Sequence, residues 1–201
     1  MLRLSHSLPR SFYARPSLDV ARDLIGKVLV CESLSGHTAG IIVEVEAYIG
    51  ENDPACHAST GFTRRNAPLY GPPGRAYVYL NYGIHHLVNV VTEPEGYPAA
   101  VLLRAVEPLH GFDLMRRRRN SLAGPINGLC RGPGKLSQAF GISISQNRQD
   151  FTGQRLYIAD YGLTRQVTWT SRIGIRVGVS RRWRCCASNS LAVSLLLRAG
   201  L

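Results

Sequence analysis

The sequence predicts an α+β fold: a mainly antiparallel β-sheet with helices at its periphery. Three observations predict it. Several stretches alternate their side chains with the two-residue period of a strand. The strands so marked are joined mostly by turns, which suits antiparallel pairing. The helical patterns are short and lie beside the strands. A length of 201 residues suits one domain over residues 1–201, with room for long functional loops.

The elements follow in order. Ser17 precedes Leu18, Ala21, Leu24 and Ile25, an amphipathic helical spacing with Ser17 as its cap and Gly26 as its stop. Val28 to Leu34 is a strand signal, and Ser35-Gly36 makes a hairpin turn into Ala39 to Tyr48. Gly50 to Gly74 is a long polar loop rich in Gly and Pro that holds His57, Arg64, Arg65 and Asn66. A loop of that length in a compact domain is either functional or disordered. Ala76 to Tyr82 and Leu87 to Val91 pair as a hairpin whose tip is Tyr82, Gly83, Ile84 and His85. Ala99 to Val106 is a further strand, with Arg104 as its one cation among Val101, Leu102, Leu103 and Val106. Helical patterns return at Phe112 to Arg119 and Lys135 to Phe140, and Gln166 to Val179 alternates again. Leu191 to Leu197 reads as a terminal strand or short docked helix, too short to span a bilayer. There is no internal repeat and no linker.

The charge is unusual. Lys plus Arg is 24 against 13 for Asp plus Glu, a formal net charge of +11. Only Lys27 and Lys135 are lysines; the other cations are arginines, whose planar fork suits phosphate. The balance points to a polyanionic partner such as nucleic acid, against the alternative of a surface basic for solubility alone. Arg116 to Arg119 is the one strong charge run. The five cysteines, Cys31, Cys56, Cys130, Cys185 and Cys186, contain no Cys-x-x-Cys pair. They read as reduced thiols of a cytoplasmic protein, neither a zinc ribbon nor a secreted disulfide framework. Ser5, His6, Ser7, Pro9 and Arg10 interrupt any apolar leader, so no signal peptide is expected.

Within Gly40 to Tyr48, residues Ile42, Glu44, Glu46 and Tyr48 share one strand face, and Ile41, Val43, Val45 and Ala47 the other. Two carboxylates and an aromatic on one face mark Glu46 as a candidate general base, with a solvated face of ordinary acids as the alternative. Arg104 needs a partner if buried, and Glu46 on a neighbouring strand could supply it, as a structural pair or as a pair holding a water. Tyr77, Tyr79 and Tyr82 place aromatics on both sides of one strand. Cross-strand packing accounts for Tyr77, whereas Tyr82 at the tip suits either packing or insertion between bases. Gly132-Pro133-Gly134-Lys135 before a helix fits either a phosphate cradle or a tight turn, and it is no Walker A loop. His57, His85 and His86 match no zinc spacing, and His57 in a polar loop reads as a hydrogen-bonding group. These spacings call for no metal.

Taken together, these segments resemble the alkyladenine (3-methyladenine) DNA glycosylase family. The matching stretches include Leu24 to Leu29, Val43 to Tyr48, Asp53 to His57, Arg65-Asn66, Tyr77 to Gly83, Asn89, Leu102 to Pro108, Gly132 to Leu136 and Arg172 to Ile175. Their order and spacing, from about residue 9 to about 194, carry the resemblance. It implies a curved sheet with a protruding, DNA-intercalating hairpin. It also implies a monofunctional hydrolase that flips damaged purines from double-stranded DNA and cleaves the N-glycosidic bond, leaving an abasic site. Alkylated purines come first, with deaminated ones such as hypoxanthine as a further candidate. The resemblance gives Glu46 the role of activating water and places Arg104 near that water. It assigns base stacking to Tyr48, His57 and Tyr79, exclusion of the guanine 2-amino group to Asn89, and intercalation to Tyr82. Arg65 and Lys135 are the expected backbone contacts. A monomer in the cytoplasm, at the nucleoid in a bacterium, is expected, without a cofactor or membrane. The tip departs from the family pattern at Ile84 and His85, and the chain after Ser194 matches no family segment. Two rivals remain: a non-catalytic basic nucleic-acid-binding module, and a metal-dependent hydrolase using His57 and His85.

Overall fold

One long strand organises the computed structural model, which describes residues 7–194. The strands are β1 (Val28–Ser33), β2 (Gly36–Ile49), β3 (Ala76–Asn81), β4 (His85–Val91), β5 (Ala99–His110), β6 (Leu156–Ala159), β7 (Val167–Thr170) and β8 (Arg184–Ala187). They form one sheet in the order β3-β4-β5-β2-β1-β6, with β8 also on β2 and β7 on β8. Every pairing between these strands is antiparallel. The α-helices are α1 (Arg10–Tyr13), α2 (Ser17–Leu24), α3 (Phe112–Arg118) and α4 (Pro133–Phe140). Helix α2 buries Val20, Ala21 and Leu24 against β2 and β5, and α4 lies on β4 and β5.

Strand β2 is covered along both edges. One edge pairs with β5; the other pairs first with β1 and then, at Glu44 to Glu46, with β8. That is why Thr38 to Ala47 is buried throughout, and why Glu44 and Glu46 have no exposed surface. The solvated strand face considered for these acids is therefore overturned: a strand paired on both edges and packed on both faces has no wet side. The β2–β5 register slips twice near the acids. Val43 has no partner between the pairs Ile42–Val106 and Glu44–Ala105, and Arg104 has none between Ala105–Glu44 and Leu103–Val45. Such bulges bend a sheet and re-aim side chains. Here the bulged residue on β5 is the arginine that meets both carboxylates.

Other local expectations need correction. Ser17 is the first residue of α2, not its cap, and Pro16 holds the cap position. Its N–H and hydroxyl donate to Glu93 Oε1 at 2.6 and 2.8 Å, so a carboxylate 76 residues away satisfies the helix start. The alternation from Gln166 to Val179 yields a strand only at β7, because the next residues dock on Asp53 and Glu46 instead of pairing. Two members of the arginine run are engaged with the protein's own oxygens. Arg116 donates to the carbonyls of Ser121, Leu122 and Gly124, and Arg118 to that of Ala139 and to the hydroxyls of Ser33 and Ser35. The loop from Gly50 to Gly74 is ordered by two 3₁₀ turns, His57–Thr60 and Ala67–Tyr70. Buried Asn66 ties them, donating to the carbonyls of His57 and Gly61 and accepting from Thr63 N–H.

The β3–β4 hairpin turns on two residues. Tyr82 and Gly83 have φ of 50° and 73°, and Ile84 N–H closes the turn onto Asn81 O at 3.1 Å. Both central residues at positive φ are what a tight hairpin of this hand requires. Glycine accepts that without strain, whereas tyrosine does not. The hairpin leans on α4 at Gly134, where a Cβ would come within 2.9 Å of His85 Cγ. All five cysteines are free and buried. No helix among the described residues is long and apolar enough to cross a membrane. Residues 191–194 run as turn and bend, and the rest of the Leu191 to Leu197 expectation lies outside the described residues.

Candidate active site

A cavity of about 370 Å³ opens between the β3–β4 hairpin, β5, the end of β2, the turn at Ala55 to His57, and the segment Ile173 to Ile175. Tyr48, His57, Tyr79, Asn89, Arg104 and Ile173 are among the residues on its walls. Glu46 is not itself a wall residue. It sits directly behind the wall, held by three groups that are. Its Oε2 accepts from Tyr48 O–H at 2.8 Å and from Arg104 Nη1 at 3.2 Å, and its Oε1 accepts from Ile173 N–H at 2.7 Å. Burial raises the pKa of this carboxyl; Arg104, Ile173 N–H and Tyr48 oppose the rise without cancelling it. A carboxylate so placed can take a proton at near-neutral pH, when an ordinary surface carboxylate is a weaker base.

Arg104 also donates through Nε to Glu44 Oε1 at 2.8 Å. Glu44 accepts further bonds from Arg184 Nε and from the backbone and hydroxyl of Ser194. Burial works against its ionisation, yet Arg104 and Arg184 outweigh burial and hold its pKa below the usual range. Two neighbouring carboxyls thus differ in sign of shift.

The aromatic wall is preorganised. His57 Nδ1 is hydrogen-bonded to Tyr77 O–H at 2.8 Å, and its ring meets Tyr79 edge-on at 4.5 Å between centroids. Tyr77 and Tyr79 lie 5.3 Å apart. Burial and the charge of Arg65 lower the His57 pKa, so the imidazole is neutral at pH 7 although one side of the residue is exposed. Burial pushes the Tyr79 phenol up to about 12 and raises Tyr48 further, so both stay protonated. The guanidinium of Arg172 covers Tyr48 at 4.6 Å from its ring centroid. That arginine is fully buried and forked onto Asp53, at 2.6 and 2.8 Å, and it also donates to Ala47 O. Asn89 is fixed by its Nδ2 donating to Tyr77 O at 3.0 Å. Tyr82, 84% exposed, stands at the hairpin tip and reaches the cavity rim.

A strained aromatic beside an aromatic cavity with a buried carboxylate behind it suits chemistry on a flat ring. The model for methylpurine-DNA glycosylase matches residues 11–191. The chain belongs to that family. Methylpurine-DNA glycosylases are hydrolases of DNA repair, and relatives similar to this member are provisionally named 3-methyladenine DNA glycosylases. One from Methanocella arvoryzae is 47% identical, covering 93% of this chain and 95% of its own. One from Rubrobacter xylanophilus is 49% identical over 81% of this chain and 84% of its own, and one from Chlorobium phaeobacteroides 43% over 93% and 94%.

In this glycosylase Tyr48, His57, Tyr79, Asn89 and Arg104 meet at one cavity, with Tyr82 at its rim and Glu46 bonded to two of them. Arg65 and Lys135 are exposed and outside the cavity wall. Among the described residues no three His, Cys, Asp or Glu side chains come together as metal ligands, so the rival hydrolase using His57 and His85 has no donor set. Residue-level reading missed the parts of Asp53, Arg172 and Ile173. The one signal for them was their presence in the stretches that carry the family resemblance. Glu44 was visible but had no assigned task.

Proposed function

We propose that this glycosylase excises alkylated purines, 3-methyladenine above all, from duplex DNA by flipping the nucleotide into the cavity and hydrolysing its N-glycosidic bond. One observation carries the reading: a buried carboxylate of raised pKa, held by donors from Tyr48, Arg104 and Ile173 that themselves wall an aromatic cavity. Among the described residues Oε1 of Glu46 accepts one bond, from Ile173 N–H, which leaves it a lone pair for a water. Arg104 lines the cavity beside it.

The chemistry then balances simply. The water oxygen bonds to C1′ as the C1′–N bond breaks, and the bonding pair leaves with the base. Glu46 takes the water proton, and its negative charge stabilises the cationic sugar of the transition state. A purine alkylated at N3 or N7 already carries positive charge and leaves as a neutral molecule. No lysine is needed as a covalent nucleophile, so the product is an abasic site in an intact strand.

Selection follows from the same walls. Neutral His57, Tyr79 and Tyr48 offer π-faces to a cationic base, an attraction of about 1 kcal/mol or more once water is displaced. The base stacks on the joined His57–Tyr79 surface with Tyr48 opposite, since the 4.5 Å between His57 and Tyr79 leaves no slot between those two. Asn89, immobilised on Tyr77, occupies space that the 2-amino group of guanine would need. Tyr82 fills the gap left in the stack, and Arg65 and Lys135 contact backbone phosphates. Unstacking costs a few kcal/mol and least at weakened pairs, so hypoxanthine follows as a second substrate, leaving with the bonding pair as an anion that takes its proton from solvent. A single chain is the acting unit.

The test is incubation with duplex DNA carrying 3-methyladenine or hypoxanthine, with chromatography of the released bases. Free damaged base is expected, with strands that break only after alkali. Tight binding without release at enzyme excess would instead support the non-catalytic binding module.

A further inference from the structure

Glu44 is a buried carboxyl for which the hydrolysis above has no use. Its Oε1 accepts Arg104 Nε at 2.8 Å, Arg184 Nε at 2.8 Å and Ser194 Oγ at 2.7 Å, and its Oε2 accepts Ser194 N–H at 2.6 Å. Four hydrogen bonds of this quality would not be spent on a passive core acid without consequence for Arg104, the group it shares with Glu46. An arginine facing one carboxylate ordinarily forks onto it with two parallel bonds. Here that geometry is blocked. Glu44 takes the Nε edge, Nη2 points to Ser194 Oγ at 3.4 Å, and Nη1 alone reaches Glu46, at the longer distance of 3.2 Å. The bulge that places Arg104 between Glu44 and Val45 in the register enforces the division.

We infer that Glu44 is a positioning residue for base excision: it holds Arg104 by its Nε edge, so that the guanidinium orients Glu46 through Nη1 without fully neutralising it. The inference rests on Glu46 being the general base. A forked Arg104–Glu46 pair would stabilise the carboxylate and weaken it as a base. Glu44, saturated with donors, remains anionic and keeps Glu46 basic, and the opposite shifts of the two acids agree with that division.

The charged and titratable groups facing Glu46 are few. Glu44 and Tyr48 lie on its own strand, Arg104 comes from β5, Tyr79 from β3, Arg184 and Cys186 from β8, and Arg172 from the segment after β7. The arginines stay charged, and Tyr48, Tyr79 and Cys186 stay neutral, the last two with pKa values of about 12. Of these groups only Glu46, raised by burial, changes state between about pH 4 and 8, because Glu44 is held below the usual carboxylate range.

The measurement is the pH profile of single-turnover base release by wild type, Glu44→Gln, Arg184→Gln and Glu46→Gln. Melting curves and duplex affinity serve as controls for folding. In Glu44→Gln the acid limb should move down by roughly 0.5–1 pH unit and the plateau rate fall about tenfold or more, with duplex affinity kept. In Arg184→Gln, which loses a cation, the limb should move up. If Glu44→Gln does not fold, Arg184→Gln decides alone. A folded variant whose limb stays in place overturns the inference, even if its rate falls. The base reading fails separately: Glu46→Gln retaining the wild-type rate would sink it, and the role of Glu44 with it. Inactive Glu46→Gln beside an unmoved Glu44→Gln limb would remove only the latter.

Discussion

At Glu46 the competition is between lost water and gained donors. Burial alone would leave the acid protonated, and the three donors return part of that cost. If Glu46 is the base, as proposed, it works only when ionised, so excision should decline as pH falls through a value above the ordinary carboxylate range. Tyr82 is the second residue where local cost and function separate. A tyrosine at φ 50° with 84% exposure buries little surface to offset its backbone strain. Tyr82→Asn should therefore leave stability unchanged or raise it by up to about 1 kcal/mol, since asparagine accepts that conformation. Excision from duplex should meanwhile fall at least about tenfold, and excision from single strands less. Calorimetry beside both rates checks it; equal loss on the two substrates would contradict a wedge. The oddity of Glu46 was legible from alternation alone. Its partner at Ile173 was not, because a backbone N–H 127 residues away leaves no side-chain signature.

Strand β2 and the segment after β7 do the assembling. The sheet carries the acids and the arginine, and the segment from Arg172 to Ile175 closes the cavity over them. Its anchor is the Asp53–Arg172 fork, fully buried, which also sets Arg172 over Tyr48 and Ile173 N–H on Glu46. Removing one partner of such a pair strands a buried charge, so Asp53→Asn should lose about 3–5 kcal/mol and loosen base binding. Denaturant melts check the first effect. Burial opposes ionisation of Asp53, but Arg172 outweighs it and lowers the folded pKa. The stabilisation is thus complete above the unfolded carboxylate range and lost as pH falls through the depressed folded value. Asp53→Asn should abolish that share of acid sensitivity. The long strands, the hairpin and the α2, α3 and α4 helices were readable from period and turn residues. Strands β6 and β8 were not, being four residues each, and β8 opens on Arg184, which only its burial against Glu44 explains. The alternation from Gln166 to Val179 misled because alternation says which side chains could share a face, not whether a neighbouring strand exists to pair with.

Across the whole molecule, a net charge of +11 accompanies a cavity at the base of one exposed hairpin. The charge was legible as a preference for a polyanion, but composition cannot say which arginines face it. Arg116, Arg118, Arg172 and Arg184 are engaged with the protein's own oxygens. Arg65 and Lys135 remain on the surface. Duplex affinity should still fall at least roughly tenfold between 50 and 200 mM salt, as counterion release from even two phosphate contacts requires. Affinity indifferent to salt would contradict a phosphate-tracking surface. Everything converges on Glu46, and the most direct measurement is single-turnover release of 3-methyladenine from duplex DNA by Glu46→Gln beside wild type. The expected result is a loss of release by about a thousandfold or more, with lesion-duplex affinity kept within a few-fold. Release by the folded variant at near the wild-type rate would contradict it.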